Sequence, residues 1–334
     1  MDKIKPNKIK PGDTIGIISP SSTIKNFPRR LQRGIDALKK MGFKIKLGEN
    51  ALKQYGNNAG TAKERAEDVN NFFADENIKA IICSTGGETA NSILPLLDFE
   101  LIKNNPKVFC GFSDITTLNL AINSMTGLIT FNGPTVLPTL GEFEGVNNFT
   151  LDSFKKAVCQ NAPIGTLYNP EEYTEEILWW ESADDRKKEM SQASQYNFIT
   201  PGSATGKITG GNFLILCTLI GTKYFPDLKD RILFLEDEGE SASSVDRRLN
   251  QLEQIGVFDK INGLIFARPF NFKEGPEERT LKRILKEFGE KYKIPIVCDL
   301  DCGHTNPLIT IPIGVEASMD SNSNKIEITE SAVL

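Results

Sequence analysis

Histidine occurs once in these 334 residues, at His304, so a single imidazole is available to any acid-base chemistry the chain performs. Long hydrophobic runs are missing too. The longest uncharged apolar stretch, Phe213 to Gly221, is far shorter than the roughly 20 residues of a membrane span, and this excludes a transmembrane helix. There is no basic stripe: 39 Lys and Arg against 44 Asp and Glu give a net charge of -5, with lysine dispersed along the chain. Little is therefore available to neutralise a phosphate backbone, and no nucleic-acid partner is expected. Lys3, Lys5, Lys8 and Lys10 make the amino terminus basic, but Pro6, Pro11, Gly12 and Asp13 stand where an apolar signal core would be, which predicts no export. Cys83, Cys110, Cys159, Cys217, Cys298 and Cys302 lie mostly inside apolar runs, as small buried hydrophobes of a reducing compartment do. A cytoplasmic protein is expected.

What is present reads as a soluble α/β protein: 39% hydrophobic and 25% charged residues, with 27 Gly and 17 Pro. The length exceeds what one core usually organises and predicts two domains. Residues 1–145 alternate strand-like and helical patterns, starting with Thr14-Ile15-Gly16-Ile17-Ile18-Ser19 and a helix whose apolar face carries Leu31, Ile35, Leu38 and Met41. Thr61 and Glu64 form a capping box that opens a second helix reaching about Phe73. Strand 80–83 with a helix through Ile93, and strand 108–112 with a helix over 115–125, complete a parallel, helix-flanked sheet. Residues 146–205 lose the pattern, carry many carboxylates with Trp179 and Trp180, and read as a connector or lid. Residues 206–334 read as a second, mixed α/β domain with no internal repeat.

Ser113, in Gly111-Phe112-Ser113-Asp114, stands where a buried strand turns into a helix, a place where a sharp turn lifts a side chain above a sheet. It is a candidate nucleophile; a serine before a helix is equally an N-cap, and Ile115 replaces the second glycine of an ordinary hydrolase elbow. His304 lies just beyond a strand, where α/β folds place working groups, although a lone histidine also serves structure. Cys298, Cys302 and His304 lack the ligand number and spacing of structural zinc, so no metal and no cofactor is expected. Glu236 emerges at the end of the apolar strand Ile232-Leu233-Phe234-Leu235, where it can orient an imidazole or simply belong to an acidic turn. Ser84-Thr85-Gly86-Gly87 lets a backbone amide approach an oxyanion; with no Lys-Ser/Thr after it, it is not a phosphate-cradling loop.

Taken with Gly12-Asp13-Thr14-Ile15, Gly210-Gly211-Asn212 and Cys302-Gly303-His304-Thr305, these segments resemble the serine carboxypeptidase family that includes the cytoplasmic LD-carboxypeptidases of murein recycling and the microcin C self-immunity peptidases. The resemblance implies a Rossmann-like amino-terminal domain holding the nucleophile Ser113, a carboxyl-terminal domain holding Glu236 and His304, an oxyanion hole from the amides of Gly87 and Asp114, and a homodimer. It also implies substrate contacts at Gly86, Asn212 and Trp180, the last stacking on a nucleobase. Asn104-Asn105-Pro106-Lys107, Gly256-Val257-Phe258-Asp259-Lys260 and the tryptophan-bearing connector look like the immunity branch, which cleaves an aminoacyl-nucleotide conjugate. Glu236-Asp237-Glu238-Gly239-Glu240 instead resembles the LD-carboxypeptidases, which take a murein tetrapeptide; immunity members resemble Glu-Asp-Ser-x-Lys there. Glu240 is accordingly expected to touch substrate and bias its charge. A catalytically silent binding module is the alternative of another class, since a fold alone does not entail function.

Overall fold

The computed structural model describes residues 2–334 as two large helix-flanked sheets with a cavity between them and one small two-stranded sheet. The first sheet is built from β1 (Thr14–Ile18), β2 (Lys44–Leu47), β3 (Ile78–Cys83), β4 (Val108–Cys110) and β5 (Thr130–Asn132), all parallel. Ile15, Ile17, Ile18, Ile81 and Ile82 are fully buried, which explains why these strands read as continuous apolar runs. Helices α1 (Pro28–Lys40), α2 (Ala62–Ala74), α3 (Phe99–Asn104) and α4 (Thr116–Thr126) flank the sheet. The capping box at Thr61 and Glu64 is present with both of its hydrogen bonds. The strand order β2-β1-β3-β4-β5 reverses direction between β1 and β3, and open parallel sheets bind ligands beyond the carboxyl ends of the strands at such a point.

Residues 146–205 are more regular than expected. They hold α5 (Asn148–Cys159), the short strands β6 (Gly165–Thr166), β7 (Glu172–Tyr173) and β8 (Gln192–Ala193), and β9 (Asn197–Thr200). The signal for α5 was present in the N-cap Asn147 and in Phe154, Ala157 and Val158, whose spacing buries one face. Conversely, the helix expected through Ile93 is a 3-10 turn over Ala90–Leu96, because Pro95 lacks the amide a longer helix needs. The helix expected from Ile115 starts one residue later, after a 3-10 turn over Ser113–Ile115.

The second sheet is centred on parallel β10 (Ser203–Asn212), β11 (Arg231–Glu236), β12 (Gly263–Ala267) and β13 (Ile296–Leu300). The helices α6 (Phe213–Thr218), α7 (Ala242–Gln254) and α8 (Leu281–Tyr292) follow three of these strands. Strand β14 (Ile311–Ile313) leaves this domain and pairs antiparallel with β5 in the first sheet. The chain then returns as β15 (Glu316–Asp320) and β16 (Lys325–Ile328) to complete an eight-stranded sheet with β6 and β9 on its two edges. Thr116, Thr117, Leu118, Asn119, Leu120, Ala121 and Ile122 of α4 are all buried, since this helix packs on its own sheet and also against β10 and α6. No helix among the described residues is long and apolar enough to cross a membrane, and all six cysteines are free.

Candidate active site

Ser113 stands three residues past the end of β4 and has φ 62°, a left-handed conformation uncommon for a residue with a side chain. Strain of this kind persists only where the surroundings enforce it, and here it lifts the serine to the wall of a cavity of about 670 Å³. The loop after β3 faces it. A Cβ on Gly86 would lie 2.9 Å from Ser113 Cβ and 3.0 Å from its Oγ, and one on Gly87, at φ +148°, would strike Ser21 and Ser22. Only glycine permits both approaches. Asp114 is 2% exposed and ties the turn together: its carboxylate accepts from Ser21 Oγ at 2.5 Å and from Ala90 N at 2.9 Å. The loops after β1, β3 and β4 are thus fastened at the switch point of the sheet. Gly86→Ala is expected to lower turnover by about a hundredfold, because an ångström of displacement at a nucleophile has that scale of cost. Steady-state kinetics beside a melting curve checks it; a variant with wild-type turnover would show that Gly86 does not set the position of Ser113.

In the second sheet, Glu236 ends β11 with no exposed surface. One carboxylate oxygen accepts from Asn212 Nδ2 at 2.8 Å, and the other lies 2.7 Å from His304 Nδ1. His304 sits in the loop between β13 and β14, held from both sides. Asn132 of the first sheet donates to the Cys302 carbonyl at 3.0 Å, and Arg268 pairs with Asp301 at 2.7 Å. The rings of Phe112 and Phe270 pack around the imidazole at 4.9 and 6.3 Å between centroids. His304 Nε2 lies 2.8 Å from Glu238, a residue the sequence reading passed over. Burial opposes a charge on His304, but Glu236 and then Glu238 outweigh it and push the imidazole up to about 10. For Glu238, burial likewise opposes ionisation, and the hydrogen bond and charge of His304 hold its carboxyl below the ordinary value.

Ser113, Gly86, Gly87, Trp180, Glu238 and His304 all line the one cavity. Trp180 packs edge-on to Phe27 at 5.2 Å with the Arg30 guanidinium 5.0 Å over its ring, while its neighbour Trp179 is 71% exposed. Two residues expected to contact substrate do not line this cavity. Asn212 does not line the cavity: its amide is committed to Glu236 and its Oδ1 caps α6 at Ile215 N. Glu240 is drawn away onto Arg248 of α7 at 2.5 Å, because Gly239 turns at φ +72° and Ser241 then caps that helix. In extended chain, residues two apart share a face, so Glu236 and Glu238 meet His304 together; the period-two pattern was the signal for Glu238. Among the described residues no group of three or more His, Cys, Asp or Glu side chains is disposed to hold a metal ion. The Cys302 thiol is buried, and burial raises it well above its ordinary value.

Two family models match the chain: the LD-carboxypeptidase N-terminal domain over residues 15–133 and the LD-carboxypeptidase C-terminal domain over residues 205–319. Among curated proteins, the Microcin C7 self-immunity protein MccF of Escherichia coli is 34% identical over 325 residues, covering 96% of this chain and 94% of its own. A probable murein peptide carboxypeptidase of Bacillus subtilis is 32% identical over 331 residues, covering 98% and 95%. A solved structure of MccF in complex with aspartyl sulfamoyl adenosine superposes with a TM-score of 0.93 at 32% identity, covering 99% of this chain and 100% of that one. An MccF-like protein from Streptococcus pneumoniae in complex with AMP gives 0.83 at 27% identity, covering 94% and 98%. With both domain models matched and relatives aligned over nearly their whole length, the chain belongs to the LD-carboxypeptidase family of peptidases, S66.

Proposed function

We propose that the chain is a cytoplasmic, homodimeric serine peptidase that hydrolyses an amide bond without a metal. Ser113 is the nucleophile, His304 the general base, and Glu236 the carboxylate that fixes the imidazole tautomer and stabilises the imidazolium. The observation that carries this reading is the 2.7 Å contact between Glu236 and His304 Nδ1, with His304 lining the same cavity as Ser113, which stands in a left-handed turn. In this mechanism Nε2 takes the serine proton as Oγ attacks the carbonyl. The amides of Gly87 and Asp114 receive the oxyanion, and water then hydrolyses the acyl-enzyme. Covalent capture of Ser113 by an active-site serine reagent tests it. A protein that stays unlabelled, and binds ligand without turnover, would instead be a silent binding module.

The substrate class we infer is an aminoacyl-nucleotide conjugate. Two aromatic residues of the connector border the cavity, and the solved relatives include complexes with aspartyl sulfamoyl adenosine and with AMP. The Glu238-Gly239-Glu240 segment favours the second reading, a murein tetrapeptide, because no lysine stands there to meet an acidic side chain. Parallel turnover assays on the two substrates decide between them. Base-aromatic stacking is worth roughly 1 to 3 kcal/mol, so Trp180→Ala should lower kcat/KM for nucleotide-bearing substrates by about fivefold to a hundredfold and spare a peptide. Equal losses on both substrates would reduce Trp180 to a packing residue of the connector.

A further inference from the structure

Both nitrogens of the single imidazole are occupied. Glu236 holds Nδ1 at 2.7 Å and Glu238 holds Nε2 at 2.8 Å, and an imidazole donates to two carboxylates only when it is protonated. Such a ring has no lone pair for the Ser113 proton, and among the described residues no hydrogen bond joins Ser113 to His304. Glu238 therefore has to leave before the mechanism proposed above can begin.

What draws it away follows from the charges around the cavity. Of the other charged residues on the wall, Glu176 is paired with Arg186 at 2.5 Å and Lys188 with Glu142 at 3.1 Å. Among the described residues Glu238 has only His304 as cationic partner, and its side chain is 47% exposed and borders the cavity. The backbone around it is fixed, since Gly239 N donates to the Phe270 carbonyl at 2.9 Å, so the carboxylate can move by side-chain rotation alone. Nε2 must serve both Ser113 and the leaving group. A carboxylate bonded to it is consequently one hydrogen bond from the reacting atoms, where it meets the acyl residue of the substrate.

We propose that Glu238 is the substrate-recognition carboxylate of this site, holding Nε2 of His304 until substrate binds and exchanging it for a primary ammonium group on the acyl residue of the substrate. The proposal rests on the assignment of His304 as the base and adds what releases it. When the ammonium takes the carboxylate, His304 loses one of the two charges that keep it protonated, gives its proton to water, and turns a free Nε2 to Ser113. The ammonium is the α-amine of an aminoacyl conjugate or the side-chain amine of a diamino acid in a peptide. The groups facing His304 are Glu236 at the end of β11, Glu238 beyond it, and Phe112 and Phe270 as neutral walls. Behind them, Asp237 is pushed by burial up to about 7 despite Arg248, and Asp301 is paired with Arg268.

Because Asp237 also titrates near neutrality, the test reads His304 itself, and one histidine gives one unambiguous set of imidazole NMR resonances. In the free protein His304 should stay protonated well above its ordinary value of 6.5 and titrate at clearly lower pH in Glu238→Gln and Glu238→Ala. The activity test uses two substrate pairs: aminoacyl sulfamoyl adenosine against its N-acetyl form, and a tetrapeptide with lysine against norleucine as the penultimate residue. In the wild type the ammonium-bearing member of the pair that is turned over should lead by about tenfold in kcat/KM, the scale of one charged hydrogen bond at a half-exposed site. Glu238→Gln should erase that lead and move the acidic limb of kcat/KM to lower pH. An unchanged His304 titration in both variants overturns the proposal, and so does a preference for the ammonium that survives Glu238→Gln. Ser113→Ala separates this from the underlying assignment: if that variant still turns over substrate, the mechanism fails whatever Glu238 does.

Discussion

Ser113→Ala should lower turnover by about five to six orders of magnitude, and His304→Ala by a similar factor, with the double variant no worse than either. The members of a nucleophile-base-carboxylate set act as a unit: without the hydroxyl nothing accepts the acyl group, and without the imidazole the hydroxyl keeps its proton. Ser113 makes no hydrogen bond to His304, so its hydroxyl can be removed with little effect on stability. His304→Ala differs, because it leaves the fully buried Glu236 with Asn212 as its remaining partner and should cost about 1 to 3 kcal/mol of stability. Single-turnover kinetics beside urea unfolding measures both effects. If purified His304→Ala kept more than about a tenth of wild-type turnover, this chain, which has no second imidazole, would need another base, and the proposed mechanism would be abandoned.

Much of the first domain was legible because its signals are local. Buried parallel strands appear as runs such as Ile15 to Ile18, and helix starts carry caps such as Thr61 with Glu64. The positions of Ser113, Glu236 and His304 in the chain were legible for the same reason, Glu236 at the end of an apolar strand and the other two a few residues beyond one. Pairings that depend on distant chain were not. Nothing local shows that Ile311 to Ile313 crosses to the edge of the first sheet beside β5, or that residues 165–166 and 197–200 supply both edges of the second. The direction of side chains at strand ends was equally hidden. Asn212, expected to face ligand, has its side-chain amide bonded to Glu236 and to the start of α6. Glu240 looked like a determinant of substrate charge until the start of α7 carried it to Arg248. In each case a tertiary partner decided which face a polar residue presents.

Arg30→Met should destabilise the protein by on the order of 3 kcal/mol and raise KM for nucleotide-bearing substrates at the same time. Arg30 is 1% exposed in α1, yet most of its contacts lie far along the chain: Nε donates to the Leu137 carbonyl at 2.7 Å, Nη1 to Asp184 at 3.0 Å and Nη2 to Glu142 at 2.8 Å. The guanidinium also lies over the Trp180 ring. One planar cation thus fastens the first sheet's leading helix to the connector segment that borders the cavity. Methionine fills much of the volume but returns nothing to the two carboxylates. Asp184 keeps Arg33 and Glu142 keeps Lys188, and for that reason the expected loss lies at the lower end of the range for a broken buried ion pair. Arg30→Lys restores the charge without the fork of donors and should recover only part of the stability, since one ammonium cannot reach Leu137, Asp184 and Glu142 together. Urea unfolding and kcat/KM with an aminoacyl sulfamoyl adenosine read the two effects in the same variants. Stability lost with KM unchanged would mean that Trp180 is held in place by Phe27 alone, whereas a fully stable Arg30→Met would remove the ion-pair cluster from the account of how the connector is anchored.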